Sequence, residues 1–158
     1  MLGKFLVRKI NGKTTSLMIT ETEAYDGFKD KASHASRGKT ARNAPMFGPA
    51  GVWYVYFTYG MHWMLNIVCG KKDYPSAVLI RGAGDIQGPA RLTKFLKVAE
   101  KFNGEKAAAK TGLWIEDGGM KIKPRQIKRT PRIGVAYAGI YWAKKPLRFL
   151  LDKKYFSK

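Results

Sequence analysis

The chain has 158 residues, 45% of them hydrophobic, and its 30 Lys and Arg against 11 Asp and Glu give a formal net charge of +19. This length suits one domain with a substantial core, and the apolar content excludes general disorder. The excess of positive charge indicates a polyanionic partner, nucleic acid first and an anionic membrane second.

Other functional classes are disfavoured by what the composition lacks. No apolar run approaches the roughly 18 residues of a membrane span, and the first residues hold too short an apolar segment for a signal peptide. One cysteine and two histidines leave little for a disulfide framework or a metal site. We therefore expect a protein without a metal, in the cytoplasm or nucleoid of a prokaryote or in a nucleus otherwise.

The first predicted hairpin consists of two strands around Asn11-Gly12, the second strand covering Thr15–Tyr25. Strand alternation places Glu21, Glu23 and Tyr25 on one face. A carboxylate beside an aromatic surface has the chemistry of a general base that acts on water. Because acidic side chains are mostly exposed, a solvated strand face is the alternative interpretation.

The next segment, Lys29–Arg42, contains five basic residues, one acidic residue and no large apolar side chain. It predicts a loop without a core-facing side. Since Ser, Thr and Arg bind phosphate oxygens, one interpretation is an arm on a nucleic-acid backbone that uses Arg37, Lys39 and Arg42. A solvated surface loop is the other. His34 lies within this segment.

An aromatic-rich stretch, Val52–Val68, predicts two strands around a turn at Tyr59-Gly60. A sheet core accounts for the alternating aromatic residues of the strands. It accounts less well for Tyr59, Met61 and His62 at a tight turn, where polar residues are usual. Such a tip is typical of a wedge or stacking group for bases, although a turn packed against the core is the alternative.

The remainder predicts a strand over Ser76–Arg81 and a helix that begins at Gly88-Pro89 and ends at Asn103-Gly104. The residues Leu92, Phe95, Leu96 and Ala99 have helical spacing and predict one buried stripe. Further predictions are a short helix over Glu105–Lys110, strands over Leu113–Glu116, Met120–Lys123, Ile127–Val135 and Leu147–Leu151, and a frayed tail at Lys153–Lys158. Together they favour one α+β domain over residues 1–158, with a curved, mostly antiparallel sheet and a few flanking helices.

Several separated motifs together resemble the alkyladenine (3-methyladenine) DNA glycosylase family. In chain order they are Glu21–Tyr25, His34, Arg42-Asn43, Tyr54–Tyr56, Tyr59–Met61, Asn66, Ser76–Arg81, Gly88–Leu92, Pro131–Val135 and Lys145–Phe149. The likeness extends over nearly the whole chain. Two departures concern stability and the DNA-facing surface more than the chemistry: a shorter N-terminal lead-in, and only six residues between Arg81 and Gly88, where the family usually has a longer, partly helical insert.

The resemblance implies a monofunctional, cofactor-independent DNA glycosylase of base excision repair. Such an enzyme acts as a monomer on double-stranded DNA, flips out an alkylated or deaminated purine, and leaves an abasic site. The implied catalytic residues are Glu23, as the base that activates water, and Arg81, which helps to hold that carboxylate and the water. The implied substrate-binding residues are Tyr25 and His34 on one side of the flipped base, Tyr56 on the other, and Asn66 against the amine of guanine. Tyr59 matches the intercalating wedge.

Two alternatives stay open from the sequence. One is a basic nucleic-acid-binding module without catalysis, and the other is a degenerate glycosylase that binds damaged DNA but turns over slowly. Glu21 receives no catalytic role, because a purine methylated at N3 or N7 already carries the positive charge that a second carboxyl group would otherwise supply as a proton.

Overall fold

The longest strand, β2 (Lys13–Asp26), lies at the centre of the sheet and carries the alternating acidic segment. A computed structural model describes residues 1–152. The other strands are β1 (Phe5–Ile10), β3 (Trp53–Thr58), β4 (His62–Val68), β5 (Ser76–Ala83), β6 (Ile86–Gln87), β7 (Leu113–Glu116), β8 (Ile127–Thr130) and β9 (Arg148–Leu151). The helices are α1 (Pro89–Phe95) and α2 (Ile140–Lys144), with single 3-10 turns at His34–Arg37, Ala44–Phe47, Glu100–Phe102, Ala109–Thr111, Pro124–Gln126 and Ala136–Ala138. Within residues 1–152 no helix has the length and apolar character needed to cross a bilayer.

The strands form one curled sheet in the order β3-β4-β5-β2-β1-β7, with β6 paired to β5, and β8 joined to β2 through β9. Every strand pairing in the described part of the chain is antiparallel. These findings confirm the predicted α+β class. The second half of β2 lies between β5 and β9, so that the backbone of Glu23 is paired on both sides, with Leu79 and with Arg148.

The two predicted hairpins are both present. Ile10 pairs with Lys13, and the two residues between them, Asn11 and Gly12, have φ of 48° and 80°, as a type I′ turn requires. The aromatic stretch forms β3 and β4, with Thr58 opposite His62. The predicted bounds were displaced by only a few residues.

The main core combines side chains of the sheet with side chains of α1. Its largest fully buried side chain is Trp53, whose Nε1–H donates to the Leu113 carbonyl oxygen over 3.0 Å. The other buried members are Leu6, Ile19, Val55, Leu65, Ile67, Ile80, Ala83, Leu92, Leu96, Val98, Phe102 and Leu113. A second cluster contains Tyr54 together with Ala35, Met46 and Phe47, and Tyr56 packs against it.

The helix predicted up to Asn103 is shorter, because α1 ends at Phe95. Lys97 takes a left-handed φ of 49°, after which Val98 is buried almost as deeply as Leu96. Two residues that are two positions apart point to opposite sides of a helix, so that burying both requires the helix to end. Phe95 is consequently 56% exposed, and its predicted place in the buried stripe was wrong.

Two other predicted elements are also absent. The backbone of Glu105–Lys110 is largely extended rather than helical, since the carbonyl oxygen of Glu105 accepts from Trp53 N–H and Ala107 N–H donates to Gly51. Met120–Lys123 is not a strand, and β8 ends at Thr130 rather than Val135. The predicted tail, Lys153–Lys158, lies outside the described residues.

The segment Lys29–Arg42 has a core-facing side, contrary to the prediction from its composition. Asp30, Ala32, Ser33 and Ala35 are buried. Small and polar side chains suffice here because Asp30 finds a buried cationic partner in a distant segment of the chain, while Ala35 packs in the second core cluster. This anchoring holds His34 next to β3.

Candidate active site

A cleft of about 1120 Å³ opens over β2, β3 and β5, bounded by the 29–42 segment and by the segment that follows β8. It brings together eight residues that the sequence suggested: Glu23, Tyr25, His34, Arg37, Arg42, Tyr56, Tyr59 and Arg81. Lys29 and Lys31 add to the positive charge of its rim. Of the other predicted residues, Asn66 borders an adjoining cavity, whereas Met61, His62 and Lys39 do not line the cleft.

The Glu23 carboxylate lies at the floor of this cleft and is fully buried. Its Oε1 accepts a hydrogen bond from the Ile133 N–H over 2.8 Å and lies 3.4 Å from Nη1 of Arg81. Its Oε2 accepts from the Tyr25 hydroxyl over 2.9 Å. Donors directed at both oxygens offset the cost of burying this carboxylate, and a water molecule that reaches it finds lone pairs still free to accept.

Arg81 is held in place by Glu21. The Glu21 Oε1 accepts from Nε of Arg81 over 2.8 Å and from Nε of Arg148 over 2.7 Å. Glu21 therefore orients the guanidinium group that approaches Glu23 and is not a second acid in the cleft, in agreement with the absence of a catalytic role in the sequence interpretation. The pairing of β2 with β5 shifts in register on both sides of Glu21.

Tyr25 is fixed from two sides. Its hydroxyl donates to Glu23, and the Arg132 guanidinium carbon lies 4.7 Å from the centre of its ring. Burial and the nearby Glu23 carboxylate raise the pKa of the Tyr25 phenol. The phenol thus stays protonated and acts as a hydrogen-bond donor to Glu23 throughout the physiological pH range.

Three aromatic side chains form one wall of the cleft and of the cavity behind it. His34 meets Tyr56 edge to face, with ring centroids 4.5 Å apart, and its Nδ1 is hydrogen-bonded to the Tyr54 hydroxyl over 2.8 Å. Burial, followed by the charge of Arg42, lowers the pKa of His34, and burial raises the pKa of Tyr56 to about 12. Both rings are therefore neutral at pH 7.

The ring contact also bears on the predicted stacking arrangement. A base between two parallel rings needs them about 7 Å apart, twice an ordinary stacking distance. The 4.5 Å separation of His34 and Tyr56 leaves no such gap in this structure. Base binding between these two rings therefore requires them to separate.

Asn66 lies on β4 behind the aromatic wall and is 3% exposed. Its Nδ2 donates to the carbonyl oxygen of Tyr54, directly opposite on β3, over 3.1 Å. It borders a cavity of about 40 Å³ together with Tyr25, His34 and Tyr56. This space holds about one or two water molecules and no purine, so Asn66 is close to the proposed base site but is covered.

The tip of the β3–β4 hairpin projects from the cleft. Tyr59 has a left-handed φ of 52°, which is uncommon for a residue other than glycine, and its side chain is 80% exposed. Met61 beside it is also exposed, whereas His62 is half-buried and pairs with Thr58. The interpretation that the turn packs against the core does not hold for Tyr59.

The predicted cationic residues differ in position. Arg37 and Arg42 line the cleft, and Arg42 donates to the Phe57 carbonyl oxygen while its guanidinium lies 5.3 Å from the Tyr56 ring. Lys39 lies outside the cleft, with its Nζ 5.7 Å from the centre of the Phe47 ring. The described residues contain no group of three or more His, Cys, Asp or Glu side chains arranged to hold a metal ion.

Sequence reasoning missed the contribution of the segment that follows β8. Ile133, Gly134, Val135 and Tyr137 line the cleft, and the Tyr137 hydroxyl donates to the carbonyl oxygen of Ala32 over 2.9 Å. The motif Pro131–Val135 had marked this segment as part of the resemblance. It carried no sign of a role, because its contact with Glu23 is made by a backbone N–H, which any residue type supplies.

A buried carboxylate, a cationic rim and an exposed aromatic tip are the features of an enzyme that acts on the bases of a nucleic acid. Comparison with known proteins narrows this class. The model of the methylpurine-DNA glycosylase family matches residues 1–87 and 85–155. The junction of the two matches coincides with the short segment between Arg81 and Gly88, where β6 turns back directly onto β5.

The chain belongs to the methylpurine-DNA glycosylase family. A relative from Methanocella arvoryzae is 42% identical over 159 residues, which cover 88% of this chain and 78% of the relative. A relative from Streptomyces avermitilis is 41% identical over 175 residues, covering 96% and 80%, and one from Myxococcus xanthus is 38% identical over 168 residues, covering 100% and 85%. Each of these relatives bears the name "Putative 3-methyladenine DNA glycosylase".

Proposed function

We propose that this protein is a monofunctional DNA glycosylase that releases alkylated and deaminated purines from duplex DNA. The observation that carries the proposal is the Glu23 carboxylate, fully buried at the floor of a cationic, aromatic-lined cleft. The names of the relatives support the choice of DNA and of alkylated bases. We further propose that it acts as a monomer, in the cytoplasm or nucleoid of a prokaryote or otherwise in a nucleus.

In the proposed reaction, Glu23 accepts a proton from a water molecule, and the water oxygen attacks the anomeric carbon of the damaged nucleotide. The bond from that carbon to the purine breaks, and its electron pair leaves with the base. A purine methylated at N3 or N7 is cationic, so that it departs as a neutral molecule without an added proton. For these cationic lesions one carboxylate is sufficient, in agreement with the use of Glu21 to orient Arg81, whereas a neutral lesion such as hypoxanthine also needs a proton to leave.

The protein groups around Glu23 keep it ready for this step. Arg81 and the Ile133 N–H hold its Oε1 in place, and Arg81 can also hold the attacking water. The Tyr25 hydroxyl restrains the second oxygen. Preorganised donors of this kind need no rearrangement when charge develops in the transition state.

The proposed base site lies between Tyr25 and His34 on one side and Tyr56 on the other, so that His34 and Tyr56 must separate before a base enters. Separating the rings of His34 and Tyr56 costs their edge contact, about 0.5–1.5 kcal/mol. Moving His34 also breaks its hydrogen bond with the Tyr54 hydroxyl, which is worth about 1 kcal/mol. Stacking of a base on an aromatic side chain contributes about 1–3 kcal/mol for each base. The gain and the cost are similar, so that a damaged base with stronger stacking or a positive charge is favoured over an ordinary one.

Extrusion of the base also needs a group that fills the vacated space in the duplex. Tyr59 is suited to this role, because it is an exposed aromatic residue at the end of a rigid two-stranded hairpin beside the cleft. Arg37 and Arg42 at the rim are placed for contacts with phosphates.

A binding module without catalysis is the second candidate, and the positive charge fits it equally well. It offers no reason for a fully buried carboxylate at the floor of a cleft, held by two hydrogen-bond donors and an ion pair with Arg81, since burying a charge is costly unless it is paired. The structure therefore favours the enzyme.

The decisive experiment measures base release from methylated duplex DNA by the purified parent, Glu23→Gln and Glu21→Gln. At position 23, glutamine keeps the shape, its amide oxygen still accepts from Ile133, and its amide nitrogen can donate to the Tyr25 oxygen. We expect Glu23→Gln to lose release while its affinity for damaged DNA stays within several-fold of the parent. Glu21→Gln retains an oxygen that accepts from Arg81 and Arg148, so we expect a much milder loss.

Equal loss in the two variants would show that the roles of the two glutamates are wrongly assigned. If the parent releases no base but binds duplexes that contain a lesion more tightly than ordinary duplexes, the result would support the degenerate glycosylase instead. Strong binding without preference for lesions would support the plain binding module.

A further inference from the structure

A fully buried ion pair lies behind the cleft, between Asp30 and Arg132. The Nη1 and Nη2 atoms of Arg132 donate to the two Asp30 oxygens over 2.6 Å and 2.8 Å, and Nη1 also donates to the Ala24 carbonyl oxygen over 2.8 Å. Both side chains have no exposed surface. The role of Glu23 described above does not use this pair.

The position of the pair relative to Tyr25 indicates a role in recognition. The Arg132 guanidinium lies 4.7 Å from the centre of the Tyr25 ring. Tyr25 lines the cleft, whereas Arg132 is buried and does not line it. The guanidinium therefore lies on the side of the ring that is turned away from the cleft, and a base that stacks on Tyr25 would lie on the other side.

This arrangement has an electrostatic consequence for a cationic base. The face of a tyrosine ring attracts a cation, but a second cation directly behind the ring opposes that attraction. A base stacked on Tyr25 would lie about 8 Å from the guanidinium carbon, which is the 4.7 Å to the ring plus about 3.5 Å of stacking distance. At this distance an unneutralised charge in a partly buried site reduces the binding of a cation on the order of tenfold.

We propose that Asp30 is a specificity-determining residue: by neutralising Arg132 behind Tyr25, it allows the ring to accept a positively charged purine. This inference rests on the proposed function and extends it from the chemistry at Glu23 to the choice of substrate. Arg132 has a structural role, because it donates to Asp30 of the 29–42 segment and to the Ala24 carbonyl oxygen of β2. It thereby connects both to the segment that contains Ile133. Asp30 supplies the charge balance that this buried arginine requires.

The test compares a cationic lesion, 7-methylguanine, with a neutral one, hypoxanthine, in otherwise identical duplexes. Single-turnover release of each base is measured for the parent, Asp30→Asn and the double variant Asp30→Asn/Arg132→Gln. With its oxygen in the place of Asp30 Oδ1, asparagine still accepts from the Ala32 N–H and from Nη2 of Arg132, while its amide nitrogen faces Nη1 of Arg132 and the Asp26 N–H. The double variant keeps hydrogen-bonding side chains but has neither charge.

We expect Asp30→Asn to lower the ratio of 7-methylguanine to hypoxanthine release on the order of tenfold, and the double variant to restore the parental ratio. A purely structural role would lower release of both lesions in proportion and leave the ratio unchanged. An unchanged ratio in Asp30→Asn, or a ratio that stays low in the double variant, would overturn the proposal.

Two further measurements keep the test decisive. If Asp30→Asn does not fold, Arg132→Gln is measured instead; it leaves the Asp30 charge without its cation, so its ratio should rise on the order of tenfold, and an unchanged or lower ratio would overturn the proposal. Affinities for the same two duplexes are also measured in a Glu23→Gln background, where no chemistry is needed. A parent that releases neither base would refute the proposed function alone, whereas the affinity ratio still tests the role of Asp30.

Discussion

Replacing Asn66 with alanine removes the amide that donates to the Tyr54 carbonyl oxygen, and the structure sets the expected loss of stability. The bond is 3.1 Å long and buried, so the variant leaves that carbonyl oxygen without this partner. An unpaired buried polar group costs about 1–3 kcal/mol. For a protein of this size, 1 kcal/mol lowers Tm by about 2–4 °C, and we expect a decrease of about 2–12 °C.

The same change should alter which bases are released. Guanine differs from hypoxanthine only by its exocyclic amine, and a closed, dry pocket excludes that amine by lack of space or by leaving its donors unpaired. Asn66 borders the small cavity behind Tyr56, so that alanine enlarges the space available to the amine. Relief of about 1–3 kcal/mol corresponds to a gain of roughly 5- to 150-fold in guanine release.

The assay measures guanine release from a G·T mismatch, where extrusion is easier, beside release of 7-methylguanine and the melting temperature. Asn103→Ala is the matched control, because the Asn103 side chain also bonds to β3, at the Val55 N–H over 3.0 Å, but does not line the cleft or the small cavity. We expect both variants to lose stability and only Asn66→Ala to release guanine. A folded Asn66→Ala protein that releases 7-methylguanine but no guanine would refute the proposed exclusion of guanine.

Two other predictions concern DNA binding. Tyr59→Ala should lose preferential binding to duplexes with a lesion while keeping most of its salt-sensitive affinity for ordinary DNA, with Tm nearly unchanged because the side chain is 80% exposed. Tyr141→Ala, another exposed aromatic residue, should leave both affinities unchanged; an equal loss of both in Tyr59→Ala would contradict the wedge role. The double variant Arg37→Ala/Lys39→Ala should flatten the slope of log K against log[salt] by about one to two units, and an unchanged slope would show that the segment does not contact the backbone.

Local sequence signals were reliable where the structure depends on neighbouring residues. The Asn-Gly turn at 11–12 and the aromatic hairpin tip both formed as predicted, because turn chemistry and strand alternation act over a few residues. The predicted continuation of the helix beyond Phe95 was wrong, because it depended on contacts with distant parts of the chain rather than on neighbouring residues. Its periodicity continued, but burial of both Leu96 and Val98 against the sheet ended the helix.

The sequence by itself determined the class of fold, the family and eight of the residues that line the cleft, since these depend on ordered motifs and on residue types. Only the tertiary structure decided how they are held. Glu23 meets the backbone of Ile133, 110 positions away, and Asp30 meets Arg132, 102 positions away. The first contact uses a backbone N–H that no residue type reveals. The second buries an acid inside a segment that is polar and basic in composition, because its charge is balanced only when the chain folds back on itself.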